Sequence, residues 1–331
     1  MMQLDCIILE RSRVMVRTLM CVCILVAGLS ASAQAAQTDP MASAKGMQVA
    51  VGVAPVEHFA KKIGGSLIQT TVLVSAGADA HSYEPKPSQM RALSGAVLYL
   101  SVGLEFEKAW EPRLKAANRK LAFVHLEEGL SRLPMPEGHD DPHKGEHKKP
   151  GAKGKHSQEA KAGHGHEEEY DPHLWVSPAQ VRHMAVKIAE AFSKADPDHA
   201  KVYAANLAAF QKDIDALDAE LRSLFVAVPA NRRTFLVFHP AWGYLARDYG
   251  LTQKAIEFEG KEPSPRRLAA LIAEAKATGV KVIFVQPQMS RRTAESIAQV
   301  LGAGIVVADP LAADWAANLR AVAGAFRAAL R

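Results

Sequence analysis

The sequence predicts an α/β protein built of two parallel-sheet lobes joined by a long, stiff helix. Three observations carry that expectation. Short apolar runs rich in β-branched residues alternate with runs of helical period in two separate series, the pattern of a parallel sheet covered by helices. Between the two series, residues 197–225 keep an unbroken helical period. A tract at 138–169 has no Val, Ile, Leu, Met, Phe, Trp or Tyr, and it interrupts the first series without replacing any of its elements. The chain of 331 residues is long enough for two domains of ordinary size. Its apolar content of 48% and charged content of 23% are those of a globular protein. The formal charge of +5 is small and mixed along the chain. With no Lys/Arg cluster interleaved with aromatics, no nucleic-acid partner is expected.

Residues 1–36 read as a cleaved export signal. Arg11, Arg13 and Arg17 precede an apolar run at 19–29, followed by small residues from Ser30 to Ala36. The run is too short to span a bilayer comfortably. Met15 begins a shorter but complete version, and cleavage is expected after Ala35 or Ala36. Cys6, Cys21 and Cys23 all fall in this segment, so the mature chain has no thiolate. Any metal site must then be built from His, Asp and Glu. Neither Cys21 nor Cys23 ends the apolar run after small residues, so no lipid anchor is expected. No later stretch reads as a membrane span. The product is expected to be a soluble periplasmic monomer.

The N-terminal lobe is assigned to 46–196. A strand at 47–53 is closed by Pro55, and a helix at 56–63 is stopped by Gly64 and Gly65. A strand at 67–74 runs into a Gly- and Pro-containing loop at 77–88. A helix at 87–93, a strand at 96–102, a helix at 105–117 and a strand at 121–125 follow. Beyond the tract, Ser177 as N-cap and Pro178 in the first turn open a helix that ends near 194. Pro197 opens the linker helix of 197–226, where Val202, Leu207, Phe210, Ile214, Leu217, Leu221 and Leu224 recur at helical spacing. About 28 such residues would be about 40 Å long. The C-terminal lobe, 228–331, reads as a strand at 234–238, a short helix at 242–248 ended by Gly250, and a strand at 254–258. A helix at 265–278, a strand at 280–285, a helix at 290–301, a strand at 305–308 and a last helix at 312–330 complete it.

Ligands of open α/β sheets bind beyond the carboxyl ends of the strands. His239 and Asp309 directly follow strands, and His81 lies in the loop after the strand at 67–74. His173 ends the turn Asp171-Pro172-His173 before a helix. Pro172, Pro240 and Pro310 stiffen these loops. Three imidazoles and one carboxylate suit a four-coordinate zinc ion. A single loop histidine is more often an ordinary surface residue; the joint placement at strand ends is what carries weight. The tract adds His139, His143, His147, His156, His164 and His166. A segment with nothing to bury does not order itself, and its imidazoles suit borderline metals such as zinc, copper or nickel. The plain alternative is a solvated, charge-mixed loop. His58, His125, His183 and His199 are expected to be structural. Tyr83, Trp175, Trp242 and Tyr244 flank the candidate ligands, either excluding water or simply filling the core.

The motifs GADAHSYEPKPSQ, DPHLWVSP, VFHPAWGYLARDYGL, EPSPRRLAALIAEAK, VIFVQPQMS and ADPLA, together with the His-rich tract, resemble the metal-binding proteins of ABC-type zinc and manganese importers, the ZnuA/TroA kind. The resemblance covers essentially the whole mature chain, in the family's order. It implies a metal held in the cleft between two lobes on a rigid helix. His81 and His173 would be the ligands from the N-terminal lobe and His239 the first from the other. Asp309 would be the fourth, with Glu84 or water as alternatives. Manganese-selective relatives have Glu where this chain has His239, and imidazole favours zinc over the harder manganese. The implied partner is an inner-membrane ABC permease driven by an ATPase, with Glu262 either part of the docking surface or only a helix-start acid. The implied role is zinc capture and delivery without covalent chemistry. Two other readings remain. A secreted zinc hydrolase would use three histidines and an open position, but no HExxH is present and no Glu stands at a general-base spacing. A metal buffer acting through the tract alone would leave the strand-end ligands unexplained.

Overall fold

In the computed structural model the apolar runs become two four-stranded sheets, each with all of its strands parallel. Residues 46–74, 77–135, 170–257, 263–289 and 291–330 are described. The export segment, the tract with its six histidines, and Glu262 lie outside the described residues. The first sheet comprises β1 (Met47–Val51), β2 (Ile68–Val72), β3 (Leu98–Ser101) and β4 (Ala122–His125), in the order β2-β1-β3-β4. The second comprises β5 (Thr234–Val237), β6 (Thr252–Ala255), β7 (Val282–Val285) and β8 (Gly304–Val307), in the order β6-β5-β7-β8. The winding direction therefore reverses between β1 and β3, and again between β5 and β7. Such switch points open a crevice beyond the carboxyl ends of the strands.

The helices are α1 (Ala54–Gly64), α2 (Pro87–Leu93), α3 (Glu105–Ala117), α4 (Pro178–Ala195), α5 (Ala200–Val226), α6 (Gly243–Tyr249), α7 (Pro265–Ala277), α8 (Arg291–Leu301) and α9 (Trp315–Ala329). Central strands covered on both faces are buried almost throughout, as β3 and the Phe235-Leu236-Val237 run of β5 are. Ser177 caps α4 by accepting the N–H of Gln180. The last helix starts at Trp315 rather than 312 because the Asp314 side chain accepts the N–H of Ala317 and ends the preceding turn. β6 lies two residues before its expected place. Its backbone pairs Thr252 to Ala255 with Thr234 to Val237, and Thr252-Gln253-Lys254 is too polar to signal an edge strand by pattern.

One helix carries both lobes. After a single 3-10 turn at Pro197–His199, α5 runs 27 residues. Its buried face is Tyr203, Phe210, Ile214, Leu217, Leu221 and Phe225. Val202, expected inside, is 44% exposed. Tyr203 goes in instead, with its hydroxyl donating to Asp196 Oδ2 at 2.7 Å. Acids along α5 reach different elements: Asp213 pairs with Lys62 of α1, Asp215 with Arg182 of α4, and Glu220 with Arg320 of α9, while Asp218 accepts from Tyr249 of α6. Exposed pairs of this kind contribute little singly, but together they set the register of both lobes on one helix. The main apolar core crosses the seam. Trp315 of α9 stands edge-on to Phe59 of α1, with centroids 5.2 Å apart, and packs on Phe210 of α5. A second core, with Leu236, Phe238, Ile256, Ile283 and Ile297, lies on the other face of the second sheet.

The turn from β3 into α3 matters for the site because it delivers Glu105. It is held by the buried Glu107, whose Oε2 accepts the N–H groups of Val102, Gly103 and Leu104 at 2.9, 3.0 and 3.1 Å. Burial pushes this carboxyl up to about 7 against the opposing pull of those N–H donors. Gly52 leaves room for it, since a Cβ there would lie 2.2 Å from Glu107 Oε1.

Candidate metal centre

His81, His173 and His239 converge at the seam between the lobes. One ligand atom from each lies within 4.8 Å of the others. His81 Nε2 and His239 Nε2 are 3.1 Å apart. The ring centroids are separated by 5.3 Å (His81 to His173), 4.9 Å (His81 to His239) and 5.3 Å (His173 to His239).

Each ring is aimed by its own local structure. In the loop after β2, Asp79 accepts the N–H of His81 at 2.9 Å and the Ser82 hydroxyl at 2.6 Å, an Asx turn. Gln89 of α2 anchors the far side of that loop, accepting from Tyr83 Oη at 2.7 Å and donating to the Leu73 carbonyl. In the Asp171-Pro172-His173 turn, Asp171 Oδ1 accepts both the backbone N–H of His173 at 2.9 Å and its Nδ1 at 2.7 Å. His239 extends β5, where the preceding Phe238 N–H still pairs with the Phe284 carbonyl.

All three Nδ1 atoms face carboxylates: Glu105 Oε2 at 3.0 Å from His81, Asp171 Oδ1 at 2.7 Å from His173, and Glu257 Oε1 at 3.3 Å from His239. An acceptor at Nδ1 places the ring proton there and leaves Nε2 as the free lone pair. In the neutral rings, two Nε2 lone pairs then face each other across 3.1 Å with no hydrogen between them. A shared cation relieves that repulsion. Four ligands at about 2.0–2.1 Å around a tetrahedral zinc ion stand about 3.3 Å apart, close to this spacing.

Burial divides the three. The side chains of His173 and His239 are 5% and 4% exposed, and that of His81 is 24% exposed. Burial lowers the pKa of His81, but the hydrogen bond and charge of Glu105 outweigh it, and the net shift is upward from the ordinary imidazole value. At His173 burial dominates and the net shift is downward, with Asp171 offsetting only part of it. Burial raises Glu105, and its bond to His81 more than reverses that, leaving it below the usual carboxylate range.

Asp309 is the expected ligand that the fold does not bring to the cluster. It lies two residues beyond the end of β8, and Oδ1 closes its own turn, accepting the Leu311 N–H at 2.9 Å and Gln288 Nε2 at 3.1 Å. It lines a neighbouring cavity of about 330 Å³ with Val53, Val72, Val74, Gln288 and Leu311. Glu84 is exposed and also lies outside the cluster. The acids that do reach the histidines, Glu105, Asp171 and Glu257, were absent from the expected set. Signals for them existed: Glu257 follows β6 as His239 follows β5, Asp171 stands two residues before His173, and Glu105 opens a helix.

The other histidines have structural surroundings. His58 packs among Phe59, Phe210 and Trp315. His125 meets Ser101, Glu111 and Glu127, His199 pairs with Asp196, and His183 is exposed. Of the four flanking aromatics, Trp175 stands edge-on to His173 with centroids 5.3 Å apart. Tyr83 packs on Phe106 and Trp242 on Phe326, as core residues.

A family model described as "Zinc-uptake complex component A periplasmic" matches residues 49–329. The crystal structure of ZnuA is 39% identical, superposes with a TM-score of 0.76, and covers 87% of this chain and 100% of that one. A zinc-bound deletion mutant of ZnuA, also 39% identical, has a TM-score of 0.74 over 86% of this chain and 98% of its own. The zinc-binding protein AdcA of Streptococcus pyogenes serotype M3 is 30% identical over 259 residues, 78% of this chain and 49% of AdcA, so the chain spans about half the length of that relative. With a two-lobe fold, three converging imidazoles and a family match running from β1 to the last turn of α9, the chain belongs to the ZnuA family of metal solute-binding proteins.

Proposed function

We propose that the chain captures zinc in the periplasm through His81, His173 and His239 and delivers it to an inner-membrane ABC permease. The observation that carries this reading is the 3.1 Å approach of two Nε2 atoms whose Nδ1 partners are carboxylates, an arrangement suited to a cation. Zinc fits better than manganese, since all three donors are imidazoles. The family is one of metal-binding proteins, not of enzymes. Glu105, Asp171 and Glu257 act through the histidines, and water completes the shell, since no fourth protein ligand joins the cluster among the described residues. Zinc is the cargo, so the site must both hold it and let it go, and the partly exposed His81 is the natural point of entry. The role is tested by titrating the purified protein against a chromophoric zinc chelator. One tight zinc per chain is expected from the cleft, with manganese far weaker. Equal affinity for manganese and zinc would refute the assignment.

Zinc affinity is expected to fall steeply with acid. Zinc requires neutral imidazole, whose ordinary pKa is about 6.5. Protonation competes at His81, whose pKa is raised, before it competes at His173, whose pKa is lowered. Affinity should therefore decline as pH drops below roughly 6.5, approaching the loss of three protons per zinc. An affinity that stays flat from neutrality to pH 5 would rule out three histidine ligands.

Deleting 138–169 is expected to leave the tight site intact. Pro134 and Tyr170, which flank the cut, are already bridged as antiparallel partners. The tract has no large apolar side chain to contribute to a core. Zinc held by its six histidines must bear the entropy of closing loops around the ion, which makes those sites weak, about micromolar. Stoichiometry should drop to one, and uptake should suffer only when zinc is scarce, when a tethered tract raises the local zinc concentration. Loss of the tightest site on deletion would show that the tract supplies ligands to the cleft.

A further inference from the structure

His173 precedes the linker helix in sequence, yet its turn is bonded to the other lobe. Leu133 and, through Gln180 of α4, Ser131 hold this segment from the N-terminal side, and its other side-chain hydrogen bonds among the described residues, beyond its own turns, go to C-terminal residues. Tyr244 of α6 donates its hydroxyl to the Asp171 carbonyl at 2.7 Å, and the same oxygen accepts the Leu133 N–H at 3.0 Å. Trp175 Nε1 donates to the Pro310 carbonyl at 2.7 Å, and Ser177 Oγ donates to Asp248 of α6. Trp315 Nε1 returns a bond to the Trp175 carbonyl at 2.6 Å, although Trp315 itself straddles the seam by packing on Phe59. Tyr244 is fully buried. Beside it, Gly243 gives the Asp171 carboxylate its place, since a Cβ there would lie 2.8 Å from Oδ2. That carboxylate is the one that orients His173.

We infer that Tyr244 is a positioning residue that fastens the His173 turn to the C-terminal lobe. His173, whose turn opens the N-terminal lobe's α4, is then held by both lobes, while His239 belongs to the C-terminal lobe and His81 to the N-terminal one. This division differs from the one the chain order implies, in which two ligands would belong to the N-terminal lobe. His81 is the most exposed of the three. The inference rests on the zinc reading above.

A double-mutant cycle tests it, with zinc affinity read by chelator competition in each variant. Tyr244→Phe keeps the buried ring and removes the hydroxyl. Alone, it is expected to weaken zinc binding about fivefold to tenfold, the scale of one buried hydrogen bond. In a His81→Ala background the same loss should recur, because His173 still binds. In a His173→Ala background Tyr244→Phe should cost nothing further. An equal loss in both backgrounds, or no loss in the parent protein, would overturn the assignment, since a merely structural tyrosine does not distinguish the two histidines. Gly243→Ala, which crowds Asp171 and leaves Tyr244 in place, is the second variant and should show the same dependence on His173. The single histidine variants are measured in the same titrations. If all three bound zinc like the parent, the metal site itself would be wrong; a failure confined to the cycle removes only the role of Tyr244.

Discussion

Replacing His239 with alanine is expected to weaken zinc binding by at least roughly 100-fold, since a site worth about 10–16 kcal/mol over four ligands loses about 3 kcal/mol with one of them. His239 should be the most sensitive of the three. It is almost fully buried and sits on a strand end that cannot move without breaking its neighbour's pairing to β7. Its loss leaves Glu257, also buried, facing an empty space instead of a ring. His173→Ala should cost nearly as much. His81→Ala should cost less, because its partly exposed position is one that water reaches and fills as a ligand. Calorimetric or chelator-competition titration of the three variants gives the order directly. Tight binding that survived loss of His239 would dismiss the cleft as the zinc site.

Asp171→Ala should weaken zinc binding by about 10- to 100-fold without touching a ligand, the usual cost of removing the acceptor behind a metal-binding imidazole. Oδ1 of this residue does two things at once, accepting the backbone N–H that shapes the turn and the Nδ1 that orients the ring. With it gone, His173 is free to rotate, and its proton can move to Nε2, where it blocks the metal. Asp171→Asn keeps an oxygen in the same place and should recover part of the affinity. Equal affinities for the parent protein and the alanine variant would show that the ring is oriented by packing against Trp175 alone. The predicted order, alanine weaker than asparagine and asparagine weaker than aspartate, is not expected of a residue that only stabilises the fold.

The residues that were legible in advance share a property. Ser177 as a helix cap, Gly250 as a helix stop in the left-handed region at φ 66°, and His239 at the end of an apolar strand are all announced by their immediate neighbours. Asp309 was announced in the same way and still missed the cluster, because Leu311 and Gln288 claim its carboxylate in a turn that pattern alone does not describe. Val202 and Tyr203 show the same limit on α5. Both fit a helical period, and the choice between them fell to the Asp196 carboxylate waiting for a hydroxyl.

By itself the sequence determined the order of strands and helices, the two-lobe division and the long joining helix, and it singled out three histidines that the fold brings together, because periodicity, turn residues and strand ends are written within a few positions of one another. Only the tertiary structure decided which acid stands behind each imidazole, that Asp309 serves its own turn, and that the His173 turn is bonded across the seam. Those outcomes depend on contacts between residues far apart in the chain, as His81 and His239 are at 158 positions. Such contacts are set by how two packed sheets meet on one helix, which no local pattern encodes.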